Sequence, residues 1–172
     1  MTSVVNHLTR VRLGLIAALL ATTAQAATYS TPVRDVENPA RSSFQASAII
    51  TMDPPFAGVF GTPLYDVPNG MRAVIEFASA RCSSPSGNPI VQVVVQVAEL
   101  TSGGGSIARN FEVPISYQGT DAFSGPLYVG ALTTRLYADR TIGGGVTAGA
   151  SRASGSGNGN CSVAISGYLV AL

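Results

Sequence analysis

CSVAISGYLVAL, residues 161–172, puts Cys161, Val163, Ile165 and Leu169 on one parity and Ser162, Ala164, Ser166 and Tyr168 on the other. A period of two is the signature of a half-buried strand, with the apolar parity toward a core. Gly167 marks the point where a bulge would shift the register. A strand of this kind needs neighbours, and the same period recurs upstream. IVQVVVQVAEL (90–100) sets Val91, Val93, Val95 and Val97 against Gln92 and Gln96, and MRAVIEFASARC (71–82) sets Met71, Ala73, Ile75 and Phe77 against Arg72 and Glu76. IARNFEVPISY (107–117) aligns Ile107, Phe111, Val113, Ile115 and Tyr117, with Pro114 calling for an edge strand or a bulge.

Turn signals separate these runs. Pro68-Asn69-Gly70 lies between PLYDV and MRAVIEF, and glycine- or serine-rich stretches follow at 83–89, 102–106, 119–126, 141–145 and 155–160. The reading predicts eight or nine strands, near 44–51, 62–67, 71–82, 90–100, 107–117, 126–131, 133–139, 146–153 and 161–172. No helical stripe follows residue 27. Many short strands with frequent turns predict an all-β, antiparallel β-sandwich or jelly-roll-like domain over 43–172.

The other end differs in kind. MTSVVNHLTRVRLGLIAALLATTAQA opens with Arg10 and Arg12, continues with an apolar run from Leu13 and closes on Ala24-Gln25-Ala26. Basic start, short apolar middle and small-residue finish predict a cleaved signal peptide, residues 1–26. The apolar run is shorter than the roughly 20 residues a membrane span needs. Residues 27–42, with Pro32 and Pro39, read as a loose N-terminal arm. The expected location is therefore secreted or periplasmic, with no membrane span in the mature chain.

Removing the leader takes away Arg10, Arg12 and the single histidine, His7, leaving eight basic against nine acidic residues. The chain contains no lysine and no tryptophan. A near-neutral surface without clustered cations gives nucleic acid no electrostatic footprint. Two cysteines, Cys82 and Cys161, in an oxidising compartment favour a disulfide. Cys82 closes one strand and Cys161 opens another, which is where antiparallel neighbours meet.

VIEFASARC, RLYAD and CSVAISGYLV together resemble small secreted bacterial β-sandwich proteins of unknown function, over residues 60–172. The resemblance implies export and a β fold, and it carries no catalytic residues. Chaperone–usher pilins are similar in size, export and cysteine count. Their disulfide joins strands early in the chain, however, whereas Cys161 lies near the end of this one.

Elimination narrows the chemistry. Without histidine or lysine in the mature chain there is no Ser-His-Asp, Cys-His, Ser-Lys or Schiff-base arrangement, and two cysteines cannot close a structural zinc site. The GGG triplets at 103–105 and 143–145 lack the Lys-Ser/Thr of a phosphate loop and read as turns. A glycosidase-like carboxylate pair drawn from Glu76, Glu99, Glu112, Asp121 and Asp139 survives as an alternative. Asp35, Glu37 and Asn38 offer oxygen ligands without an EF-hand loop, and no cofactor is expected. Asn160-Cys161-Ser162 forms a glycosylation sequon that matters only in a glycosylating host.

The candidate binding residues are Tyr128, Arg135, Tyr137 and Asp139, in GPLYVGALTTRLYADR, as a surface patch for sugar or protein. The sequence thus predicts a non-enzymatic exported domain with a binding or structural role. Its expected partner is an extracytoplasmic protein or glycan. The alternative is a self-assembling, pilin-like surface subunit in which the arm or an exposed edge pairs with a neighbouring copy as a homo-oligomer.

Overall fold

Residue alternation and turn chemistry together build nine strands among the described residues. The structure, a computed structural model, describes residues 42–140 and 145–172. The predicted leader, the arm before Ser42, the Asp35/Glu37/Asn38 group and the turn residues 141–144 lie outside the described residues. In chain order the strands are β1 (Ser42–Met52), β2 (Gly58–Tyr65), β3 (Met71–Ser83), β4 (Ile90–Leu100), β5 (Ser106–Glu112), β6 (Ile115–Asp121), β7 (Gly125–Asp139), β8 (Val146–Arg152) and β9 (Gly159–Ala171). Among the described residues there is no helix, and so none long and apolar enough to cross a membrane.

Two antiparallel sheets result. Sheet A has the order β1-β9-β3-β7-β6 and sheet B the order β2-β8-β4-β5. The pairings nest: β1 with β9, β2 with β8, β3 with β7, β4 with β5. Successive pairs fall in alternate sheets, and β3–β9 and β4–β8 contacts close each sheet. This is a long antiparallel ribbon rolled into a sandwich, the jelly-roll arrangement, with β6 added at one edge. Between the sheets lies an aliphatic core including Ile50, Met52, Ile75, Val93, Val95, Val97, Val146, Val163 and Ile165, each at most 1% exposed.

Four local departures from simple alternation shape the surface. First, the predicted strand at 107–117 divides at Val113-Pro114. The Val113 N–H still bonds Val93 O of β4 at 2.9 Å, while Ile115 pairs with Gly130 of β7. The chain therefore leaves sheet B as β5 and enters sheet A as β6. Gly130 permits this crossing, since a Cβ there would stand 1.9 Å from the Pro114 carbonyl oxygen. Second, the predicted strands at 126–131 and 133–139 are one strand, β7, with Thr134 and Arg135 opposite Glu76. Third, β3 carries an extra residue, Glu76, against β9, so its parity inverts. Phe77, expected beside Ile75, is consequently outward and 41% exposed. Fourth, an extra residue near Ile90 turns Val91 outward, away from Val93, Val95 and Val97.

The turn at Pro68-Asn69-Gly70 forms as expected, with Met71 N–H bonding Pro68 O at 3.2 Å. It joins strands of different sheets and is not a hairpin. Cys82 and Cys161 face each other across β3 and β9, bonded and wholly buried. The closing strand thus lies inside sheet A, between the edge strand β1 and β3, and is covalently tied to β3.

Candidate binding face

The outer face of sheet A is assembled from residues that parity turns away from the core. β1 contributes Gln45, Ser47, Ile49 and Thr51, β9 contributes Asn160, Ser162, Ala164 and Ser166, and β3 beyond its bulge contributes Phe77, Ser79, Arg81 and Ser83. Across these strands and β7 two neighbouring rows can be read: Ile49, Ser162, Arg81, Val129 and Thr51, Asn160, Ser83, Leu127. Small side chains on most positions keep this face low.

Where these two rows meet the β6–β7 turn, a groove of about 270 Å³ opens above the disulfide. Ile49, Leu127, Ser83, Ser124, Asn160, Ser162 and Arg81 line it, and no carboxylate does. Arg81 forms no ion pair among the described residues, unlike Arg72, Arg109 and Arg135. The charge of Arg81 acts on Asp121, at the β6–β7 turn. Its Oδ1 accepts the Phe123 and Ser124 N–H groups, both at 2.8 Å, and these bonds hold its carboxyl below the usual range. That turn projects Phe123, 94% exposed, from the residue next to groove-lining Ser124. The groove therefore combines one guanidinium, hydroxyl and amide groups, two aliphatic walls and an adjacent free aromatic ring.

The four residues expected to form a patch separate. Tyr128 is turned to the other side of β7, where it is partly buried against the core and lies with its ring centroid 5.8 Å from that of Tyr117. Arg135 and Tyr137 are exposed on the outer face, Arg135 facing Glu76 at 3.9 Å. Asp139 is not a surface residue at all. It is fully buried and receives Arg72 as a fork, Nε on Oδ1 at 2.7 Å and Nη2 on Oδ2 at 2.8 Å. Oδ2 also accepts the Leu100 N–H at 2.9 Å, joining the end of β7 to the end of β4 in the other sheet. The Arg72 bonds, chiefly, hold the Asp139 carboxyl below its ordinary range and raise Arg72 above its own. Arg72 also lies 5.9 Å from the Tyr137 ring centroid, within cation–π reach. Asp139 is therefore a structural tie.

Other polar groups have internal roles. Arg152, 2% exposed, donates to the carbonyls of Phe56 at 2.8 Å and of Gly155 and Gly157, tying the β1–β2 and β8–β9 loops. On the outer face of sheet B, Gln92 donates to Glu112 at 2.5 Å and Gln96 to Asn110 at 2.8 Å, and Thr147 donates to Gln96 at 3.2 Å. Those amides each have a side-chain partner within sheet B, and the cleft beside them is smaller, about 110 Å³. The five acids considered for a catalytic pair each have a different partner: Arg135, Arg109, Gln92, the 121–124 turn and Arg72. No group of three or more metal-ligating side chains gathers among the described residues.

Sequence reasoning passed over Arg81. Only the β3 bulge and the order of the sheet bring it beside Ser162 and Ile49, and neither leaves a local signal. No family model matches the chain, and no curated protein matches it in sequence.

Proposed function

We propose that this chain is an exported, non-enzymatic β-sandwich protein that binds a glycan carrying an acidic group, in the groove around Arg81. The observation that carries the reading is an arginine that forms no ion pair among the described residues and stands among hydroxyl and amide groups, in a groove with no carboxylate in its lining. A guanidinium recognises a carboxylate or sulfate through a planar pair of N–H bonds. Ser83, Ser124, Ser162 and Asn160 suit sugar hydroxyls, and Phe123 offers a ring to a sugar face. An acidic peptide would bring several charges, which need several cations for complementarity, and this groove has one. Export is supported by the leader-like residues 1–26 and by the buried disulfide, a bond that persists in oxidising compartments.

Affinity measurements with an oligogalacturonate, against the neutral oligogalactose as control, test the reading. Arg81→Gln weakens binding of the acidic sugar about tenfold, the loss of one charge-assisted contact, and leaves the neutral control unchanged. Asp121→Asn keeps an oxygen for the turn and removes the competing negative charge, so affinity rises. Equal binding by wild type and Arg81→Gln contradicts the proposal.

A further inference from the structure

Edge strands expose unpaired backbone groups and are normally blocked by charge, proline or a bulge. Among the described residues, three of the four sheet edges are blocked. β2 has register shifts around Val59/Thr62 and Pro63/Tyr65, and β5 carries Arg109 and Glu112 and runs into Pro114. β6 follows that proline, shifts register near Gly119 and ends at Asp121. β1, SSFQASAIITM, has no charge, proline or glycine, and its eleven residues pair with β9 without a shift.

We propose that β1 is a self-association edge: two copies pair antiparallel, β1 to β1, about a two-fold axis at Ser47. This goes beyond the glycan-binding reading and does not depend on it. The direction of the backbone can be worked out across the sheet. Cys82 and Cys161 stand with Cα atoms 4.0 Å apart, the close spacing of antiparallel residues that do not bond each other's backbone. Ser84, of the same parity as Cys82, accordingly sends its N–H to Pro126 O, away from β9. Cys161 then directs its N–H and C=O to its β1 partner, Ile50. By alternation Phe44, Ala46, Ala48, Ile50 and Met52 bond β9, whereas Ser43, Gln45, Ser47, Ile49 and Thr51 aim their backbone groups away from β9, where no described strand pairs with them. All five of the latter have exposed side chains.

Antiparallel pairing of β1 with itself over its full length sets Ser47 opposite Ser47, Gln45 opposite Ile49 and Ser43 opposite Thr51. These are the residues whose backbone groups face outward, so the register supplies about ten new hydrogen bonds. With no charge on the strand, no like charges meet. The chain's own residues before Ser42 are poorer occupants: Pro32 and Pro39 lack N–H donors, and Arg34, Asp35 and Glu37 lie between them. The seam, about 37 Å long and about 10 Å deep, is smaller than the roughly 800 Å² per partner of a standard interface. The dimer is therefore weak and concentration-dependent.

Residue-resolved hydrogen exchange on the purified protein, at two concentrations about a hundredfold apart, reads this without a variant. The amides of Gln45, Ser47 and Ile49 exchange about tenfold more slowly at the higher concentration. Those of Ala46 and Ala48 are protected equally at both. In sedimentation, Ser47→Pro loses the axial donor, leaves the β9 ladder intact and stays monomeric where the parent dimerises. Three results overturn the proposal: a monomer throughout, odd-residue amides protected at every concentration (an edge covered by the chain itself), or dimerisation that leaves those amides unchanged.

Discussion

Asp139 shows how much of a residue's role lies in partners distant along the chain. Within RLYAD it alternates with Arg135 and Tyr137, and nothing local distinguishes it from a surface acid. Arg72, which buries it, is 67 positions away, and Leu100, which donates to it, is 39 away. The carboxylate is held by three N–H bonds, and both its charge and its geometry favour ionisation. Its folded-state titration therefore lies below that of the unfolded chain. The resulting stability is fully present above the ordinary carboxylate range, near 4, and is lost as pH falls through the lower folded value. Asp139→Asn keeps one acceptor but loses the charged fork, at a cost of about 1–3 kcal/mol near neutral pH. Thermal melts from pH 7 down to about pH 2 should show the two proteins converging in acid. A difference that does not narrow there would assign the loss to packing.

At the scale of elements, β9 was the most legible part of the chain. Cys161, Val163, Ile165 and Leu169 are buried as their parity predicts, while Asn160 and Ser162 are exposed. The expected shift at Gly167 does not occur on β9, whose alternation runs through it. The extra residue sits opposite, in β3, and Gly167 meets it with a position where a Cβ would lie 1.9 Å from Val74 O. Ile165→Asp buries a charge in the core and should abolish soluble production, whereas Ser166→Asp is tolerated. Gly167→Ala should fold with a lowered melting temperature, because the contact is with backbone and cannot be relieved by a rotamer change. Expression and melting curves of the three variants check this order. The split of 107–117 was less legible. Its apolar parity continues through Val113, and the crossing depends on Gly130 of β7, fifteen positions beyond Ile115. β5 is exposed along most of its length, so burial alternation could not mark its end.

At the scale of the whole molecule, composition and turn spacing were enough to predict an antiparallel sandwich, but strand order is a property of long-range pairing. The nested pairs and the interior position of β9 emerge only when β1 meets β9 and Cys82 meets Cys161 across 79 positions. That same order creates the outer face, since Ile49, Ser162 and Arg81 come from β1, β9 and β3. Pairing through β1 would extend this face across two copies, with the Arg81 grooves on one side and about 28 Å apart, five strand spacings across and four residues along the strands. Two such sites would let a repeating acidic glycan bind with avidity. The central claim is that the groove at Arg81 is the site. Its most direct test is an amide-resolved NMR titration of the wild-type protein with an oligogalacturonate. Binding here predicts saturable shifts at Arg81, Ser83, Ser124, Asn160 and Ser162, with Gln92, Gln96 and Asn110 on the opposite sheet unmoved. Shifts centred on the sheet B face, or none at saturating ligand, would contradict it.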